Sequence, residues 1–114
     1  MNILSFIEVR ETVAQWIKSN EERLKDRSIE LEILIDNENC LRIELRFKWC
    51  LAGIIVEEPD WAPYRYVFFE AWGIAKKGPD FSYFWYDEEE TTVEEIIENL
   101  DKAVDVVFEY NSKI

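Results

Sequence analysis

Apolar side chains along this chain form two helical stripes, one near each end, with a long run of alternating positions between them. Ile3, Phe6, Ile7, Val13, Ala14, Ile17 and Leu24 recur on a 3.6-residue period, with Glu8, Glu11, Lys18, Glu22 and Lys25 on the opposite side. The spacing predicts an amphipathic helix from about Leu4 to Lys25, with Trp16 near the edge of the stripe and Asp26-Arg27-Ser28 as exit turn. From Val93 the period returns through Ile96, Ile97, Leu100, Ala103, Val104, Val107 and Phe108. Thr92-Val93-Glu94-Glu95 fits a capping box, in which a threonine hydroxyl and a glutamate three positions on satisfy two orphan amides reciprocally.

Between the helices the period is two. Ile29, Leu31, Ile33 and Ile35 alternate with Glu30, Glu32, Leu34 and Asp36; Leu41, Ile43, Leu45, Phe47 and Trp49 alternate with Cys40, Arg42, Glu44, Arg46 and Lys48. Both runs read as half-buried strands. Asn37-Glu38-Asn39 is the turn, its asparagines tolerating the left-handed backbone that short hairpin loops need. Pairing Asp36 with Cys40 sets Ile35 opposite Leu41, Ile33 opposite Ile43, Leu31 opposite Leu45, Ile29 opposite Phe47, and Glu30 opposite Arg46. A slip by one residue would turn every apolar side chain outward. Ala52-Gly53 interrupts the pattern, so Ile54 to Glu57 is a continuation or a short further strand.

Glu58-Pro59-Asp60-Trp61-Ala62-Pro63 reads as a loop, since two prolines break a ladder. More than half of the aromatic residues then fall between Trp61 and Tyr86, in two segments meeting at Lys76-Lys77-Gly78-Pro79-Asp80. That is an antiparallel hairpin. Tyr64, Tyr66, Phe68, Glu70 and Trp72 share one face of its first strand; Arg65, Val67, Phe69, Ala71 and Ala75 share the other. Apolar groups on both faces predict a central strand or a second covered face. Phe81, Tyr83 and Trp85 alternate with Ser82, Phe84 and Tyr86 on the return. The fold class expected is α+β: an N-terminal helix, an antiparallel sheet of four or five strands and a C-terminal helix, in one domain over residues 1–114.

Composition narrows what such a domain can do. With 114 residues, 48% hydrophobic and 15% aromatic, the chain can build a core without disulfides or metal. Cys40 and Cys50 are expected on one strand, roughly 30 Å apart at about 3.3 Å per residue, and therefore as free thiols. The longest apolar run, Leu51 to Val56, is far short of the roughly 20 residues of a membrane span. Glu8 and Glu11 near the start, without a basic leader, point to the cytoplasm. The net charge of −12 opposes binding to nucleic acid or anionic membrane and favours encounter with a basic protein. No histidine occurs, so His-based triads, His general bases and mixed His/Cys zinc sites are excluded.

Three places could carry chemistry. From Asp87 to Glu109 there are ten carboxylates and one lysine. Helix dipoles favour acids in the first turn, but Asp101, Asp105 and Glu109 lie too far along to gain from that, and like charges four apart repel. Against the plain reading of a solvated helix face, Glu94, Glu98, Asp101, Asp105 and Glu109 form a candidate surface for a cationic partner. Second, Trp61, Tyr64, Arg65 and Tyr66 combine rigid aromatic area with a guanidinium fork, residue types enriched at interface hot spots; the plainer reading is a loop packed over the end of the core. Third, Glu70 is embedded among aromatics, with Glu57, Glu58 or Asp87 as possible acid–base partners, yet no nucleophile, phosphate loop or metal cluster accompanies it. No catalytic residue, cofactor or metal site is expected, and the chain reads as a non-catalytic binding protein.

The helix–sheet–helix layout, the acidic charge, and the stretches Gly53-Ile54-Ile55-Val56 and Trp61-Ala62-Pro63-Tyr64-Arg65-Tyr66-Val67 with Glu70 resemble the immunity proteins that protect bacteria from their own polymorphic or contact-dependent toxins. These share no diagnostic motif, so no residue role carries over. The resemblance implies a stoichiometric inhibitor of a basic, nuclease-like toxin. Two other readings stay open: an oligomeric structural domain joined through its aromatic face, and a small-molecule binder with a pocket between sheet and helices around Glu70.

Overall fold

The computed structural model describes residues 3–58, 66–74 and 80–114. Helix α1 (Phe6–Asp26) is followed by strands β1 (Glu30–Asn37), β2 (Cys40–Arg46), β3 (Cys50–Glu57), β4 (Val67–Gly73) and β5 (Ser82–Tyr86), then helix α2 (Val93–Ser112). All neighbouring strands are antiparallel and the sheet order is β1-β2-β3-β4-β5, a meander. α1 packs over β1 and β3, α2 packs over β4 and β5, and the helices touch each other. The domain is α+β, as the periodicities predict.

Each helix starts on a full capping box. Ser5 accepts from the Glu8 amide while Glu8 accepts from the Ser5 amide; Thr92 and Glu95 do the same for α2. The exit from α1 is a Schellman motif: the Ser28 amide donates to Lys25 O at 2.9 Å and the Ile29 amide to Leu24 O at 2.9 Å. Ile29 and Leu24, both buried, provide its apolar contact. Ser28 takes φ 60°, the left-handed region where glycine is usual. On α1 the buried face is Phe6, Val9, Val13, Trp16, Ile17 and Leu24. Ile3 and Ile7, expected inside, are exposed at 50% and 66%, and Trp16, expected at the stripe's edge, is buried.

The β1–β2 register follows the apolar pattern as far as Ile33 opposite Ile43, with Leu31 opposite Leu45 and Glu30 opposite Arg46. There it shifts. Leu34 is an extra residue, so Ile35 faces Arg42 rather than Leu41, and Asn37 rather than Asp36 faces Cys40. The turn needs no left-handed asparagine, because Asn37 Oδ1 accepts from the Asn39 and Cys40 amides, both at 2.9 Å. Arg10 of α1 ties this end down, bonding Asp36 and donating to Asn37 O at 3.0 Å.

Cys40 and Cys50 do not share a strand. The chain turns at Lys48-Trp49, closed by the Phe47 amide on Cys50 O at 2.9 Å. Neither turn residue has positive φ, so this is not the mirror-image turn that two-residue hairpins prefer. It is held from outside: Asn111 Oδ1 of α2 accepts from the Trp49 amide at 2.7 Å, and Trp49 O accepts from the Ile74 amide at 2.8 Å. β3 then runs unbroken through Ala52-Gly53, with Gly53 between Glu44 and Glu70. The thiols are free, at opposite ends of the sheet.

The core lies between helices and sheet. Leu41, Ile43 and Leu45 of β2, Ala52, Ile54 and Val56 of β3, and Val67, Phe69 and Ala71 of β4 all point into it. Opposite them lie Ile96, Leu100, Ala103, Val104 and Val107 of α2 and the buried face of α1. No helix among the described residues is long and apolar enough to cross a membrane.

Replacing Ser28→Gly relieves the left-handed strain at the α1 exit and is expected to stabilise the fold by about 1 kcal/mol, read as a higher urea midpoint at unchanged m-value. Burial pushes the Cys50 thiol above its ordinary pKa. The folded state therefore holds that proton more tightly than the unfolded chain. Its contribution is fully present below the unfolded pKa of roughly 8.5 and is lost as pH rises through the folded value. Urea midpoints should fall above about pH 8.5 less steeply in Cys50→Ala than in the parent, and native-state iodoacetamide should alkylate Cys40 ahead of Cys50.

Candidate functional site

Ten carboxylates lie between Asp87 and Glu109, and half of them have a partner within the chain. Asp87 is buried, accepts from the Val67 amide at 3.0 Å, and returns its own amide to Val67 O at 3.2 Å. Glu95 completes the capping box. Asp101 accepts from Trp16 Nε1 at 2.9 Å and meets Arg23 at 3.5 Å; Asp105 meets Arg27 at 2.7 Å; Glu109 meets Lys113 at 3.1 Å. The acids too far along α2 to gain from its dipole are thus counter-charges. Asp101 and Asp105 answer the basic side chains near the end of α1, and Arg27 also stacks 4.8 Å from the Phe108 ring. Contacts advance together along both chains, so the helices run in the same direction, as an odd number of antiparallel strands between them requires. Glu94 and Glu98, with Glu88, Glu89 and Glu90, are exposed and make no ion pair among the described residues.

Of the aromatic candidates, Trp61, Tyr64 and Arg65 lie outside the described residues. Tyr66 is half-buried, with its ring edge-on to Phe6 at 5.8 Å and its carbonyl accepting from the Glu57 amide at 3.0 Å. Burial first, then the charges of Glu58 and Asp87, raise its phenol pKa. Tyr66 closes the end of the core.

Glu70 does not point between sheet and helices. It lies on the opposite face of β4, beside Gly53 and Phe84. Asp87 and Glu57 pair near Val67 and Tyr66, three and four positions along, which is about 10 Å or more at 3.3 Å per residue. Glu70 therefore has no neighbouring acid there with which to share a proton. Among the described residues no group of three or more Asp, Glu or Cys is placed to hold a metal ion.

What residue-by-residue reading missed is the face on which Glu70 sits. The helices cover one side of the sheet; no described element covers the other. Antiparallel sheets usually present polar side chains to water there. Around Arg46, β1 and β2 do so: Arg46 joins Glu44 at 2.5 Å, Glu30 at 3.3 Å and Glu32 at 3.5 Å, and these bonds, Glu44 first, raise its pKa, while beyond the bulge Leu34 and Ile35 are exposed on β1. β3 to β5 do not. Leu51, Ile55, Phe68, Trp72, Phe84 and Tyr86 share this side, with Phe84 56% and Trp72 38% exposed. Phe68 stacks between Phe84 at 6.2 Å and Tyr86 at 6.3 Å, within the range where ring pairs attract. The signal was present in β4, whose two apolar faces predict a second cover. A separate groove of about 800 Å³ runs between the helices past Gln15, Lys18, Val93 and Ile97, and Asp101 at its edge is already bonded to Trp16.

Asp101→Ala removes the acceptor of a part-buried indole and one partner of Arg23, and should destabilise by about 1–2 kcal/mol in urea unfolding, exposure of the pair trimming the usual value. Glu94→Gln with Glu98→Gln should change stability by less than about 0.5 kcal/mol each. No protein-family model, curated protein or solved structure matches this chain.

Proposed function

We propose that this chain is a non-catalytic protein-binding domain whose partner is basic, and that it docks through the open side of its sheet. The observation carrying this is the row of Leu51, Ile55, Phe68, Trp72 and Phe84, which no other described element covers. Contiguous exposed apolar surface rimmed by charge marks interaction sites on proteins. The chemistry of the rim chooses the partner. Glu30, Glu32, Glu44 and Glu70 outnumber Arg42 and Arg46 on this side, and the whole chain carries −12. A second copy would bring those carboxylates against themselves, which favours a cationic partner over a self-pair. Inhibition of a basic toxin, the role implied by the resemblance to immunity proteins, is one function of this kind. Exposed Glu88, Glu89, Glu90, Glu94 and Glu98 add to the long-range field that speeds encounter, while Asp101 and Asp105 hold the helices.

The test is stopped-flow association with a basic protein that this chain captures, sought first among the products of adjoining genes, at several salt concentrations. Replacing Trp72→Ser and Phe84→Ser together should weaken binding at least about 100-fold, mostly through faster dissociation, since buried aromatic anchors contribute roughly 2 kcal/mol or more each. Glu94→Gln with Glu98→Gln should slow association a few-fold and flatten its salt dependence. Unchanged affinity in the aromatic variant removes the reading.

A further inference from the structure

We infer that the hollow over Gly53 on the open side of the sheet receives a single arginine side chain of the partner; this rests on the docking surface proposed above. Gly53 sits in the middle of β3, where a glycine weakens a strand and often marks a place that a ligand approaches closely. The fold itself does not ask for it. A Cβ at Gly53 would lie 3.8 Å from Ile43 O and 3.9 Å from Glu70 Cγ and Oε1, ordinary contact distances, and its φ is outside the left-handed region. Gly73 is the contrast: a Cβ there would come within 3.4 Å of the Tyr110 ring, which stacks on Phe81. Gly73 is the more closely packed of the two, and Gly53 has the more room.

What Gly53 achieves is a hollow of about 200 Å³. Pockets for drug-sized ligands run from about 300 to 1,000 Å³, so this one matches one side chain rather than a cofactor. Its walls are Arg42, Glu44, Leu51, Ile55, Glu70 and Trp72. Leu51 and Ile55 suit the methylenes of a long side chain. The Glu70 carboxylate makes no hydrogen bond or ion pair with another described residue, while Glu44 is held by Arg46 at 2.5 Å. With Glu44 matched by Arg46, Glu70 is the carboxylate of the lining that remains to meet a guanidinium. A planar guanidinium can bond Glu70 through two N–H groups and stack on the indole of Trp72, which a lysine ammonium does less well.

The test titrates 15N-labelled protein with acetyl-Gly-Arg-Gly-amide and with its citrulline counterpart, which has the same shape and no charge. The arginine peptide should shift the Gly53 amide and the Trp72 indole at millimolar concentration, less at high salt, and the citrulline peptide should not. Glu70→Gln should weaken the arginine peptide at least tenfold. Gly53→Val should melt at a higher temperature than the parent, because valine suits a strand, and yet lose the shifts. Gly53→Ala, adding one methyl group at ordinary contact distances, repeats the measurement should valine disturb the sheet. Equal shifts from both peptides, or undiminished binding in the filled variants, overturn the inference. With the partner itself the two proposals separate. Loss of binding in the Trp72 and Phe84 variant but not in Gly53→Val sinks the arginine pocket alone, and retention in both sinks the docking surface as well.

Discussion

The architecture depends on one apolar core between the sheet and two helices that lie side by side in the same direction, their seam closed by Asp101 and Asp105. Five strands at about 4.8 Å spacing measure roughly 19 Å across, and two helices of about 10 Å diameter match that width. With both helices on one side, nothing described remains for the other. The acids along the helix seam stay solvent-accessible but already have cationic partners. Much of the apparent electrostatic excess on α2 is therefore the complement of Arg23, Arg27 and Lys113, and the exposed remainder is concentrated toward its start.

The open face is divided along the strand order. Charged side chains of β1 and β2 satisfy one another around Arg46, while β3 to β5 present mainly aliphatic and aromatic groups. That division is what an interface needs: an apolar centre that gains from losing water, beside a charged margin that sets orientation. Glu70 is the exception inside the apolar half, and its neighbour Gly53 gives it room.

Features governed by local chemistry were legible in the sequence. The 3.6-residue periods and the Thr92–Glu95 box located both helices, and the alternation fixed the β1–β2 register up to Ile33. The Ser5–Glu8 box was equally visible in the residues and was overlooked. What failed depends on partners distant in the chain. Lys48-Trp49 carries no turn residue, and its geometry is imposed by Asn111 and Ile74. Ala52-Gly53, by contrast, looks like a break and lies in continuous strand. Trp16 reads as marginal until Asp101, 85 residues away, accepts its N–H. The acids of α2 look uncompensated for the same reason: their counter-charges lie on α1.

That separation shapes how the molecule assembles. Each strand pairs with its sequence neighbour, so the sheet closes only short loops, whereas α1 and α2 meet across nearly the whole chain. The contact between Trp16 and Asp101 therefore closes one of the longest loops in the fold, which the formed sheet shortens. Until it forms, the side of the meander destined for the helices and the side that stays open are both bare, and a chain still emerging from the ribosome depends on dilution or chaperones to keep its aromatic strands from pairing with their neighbours'.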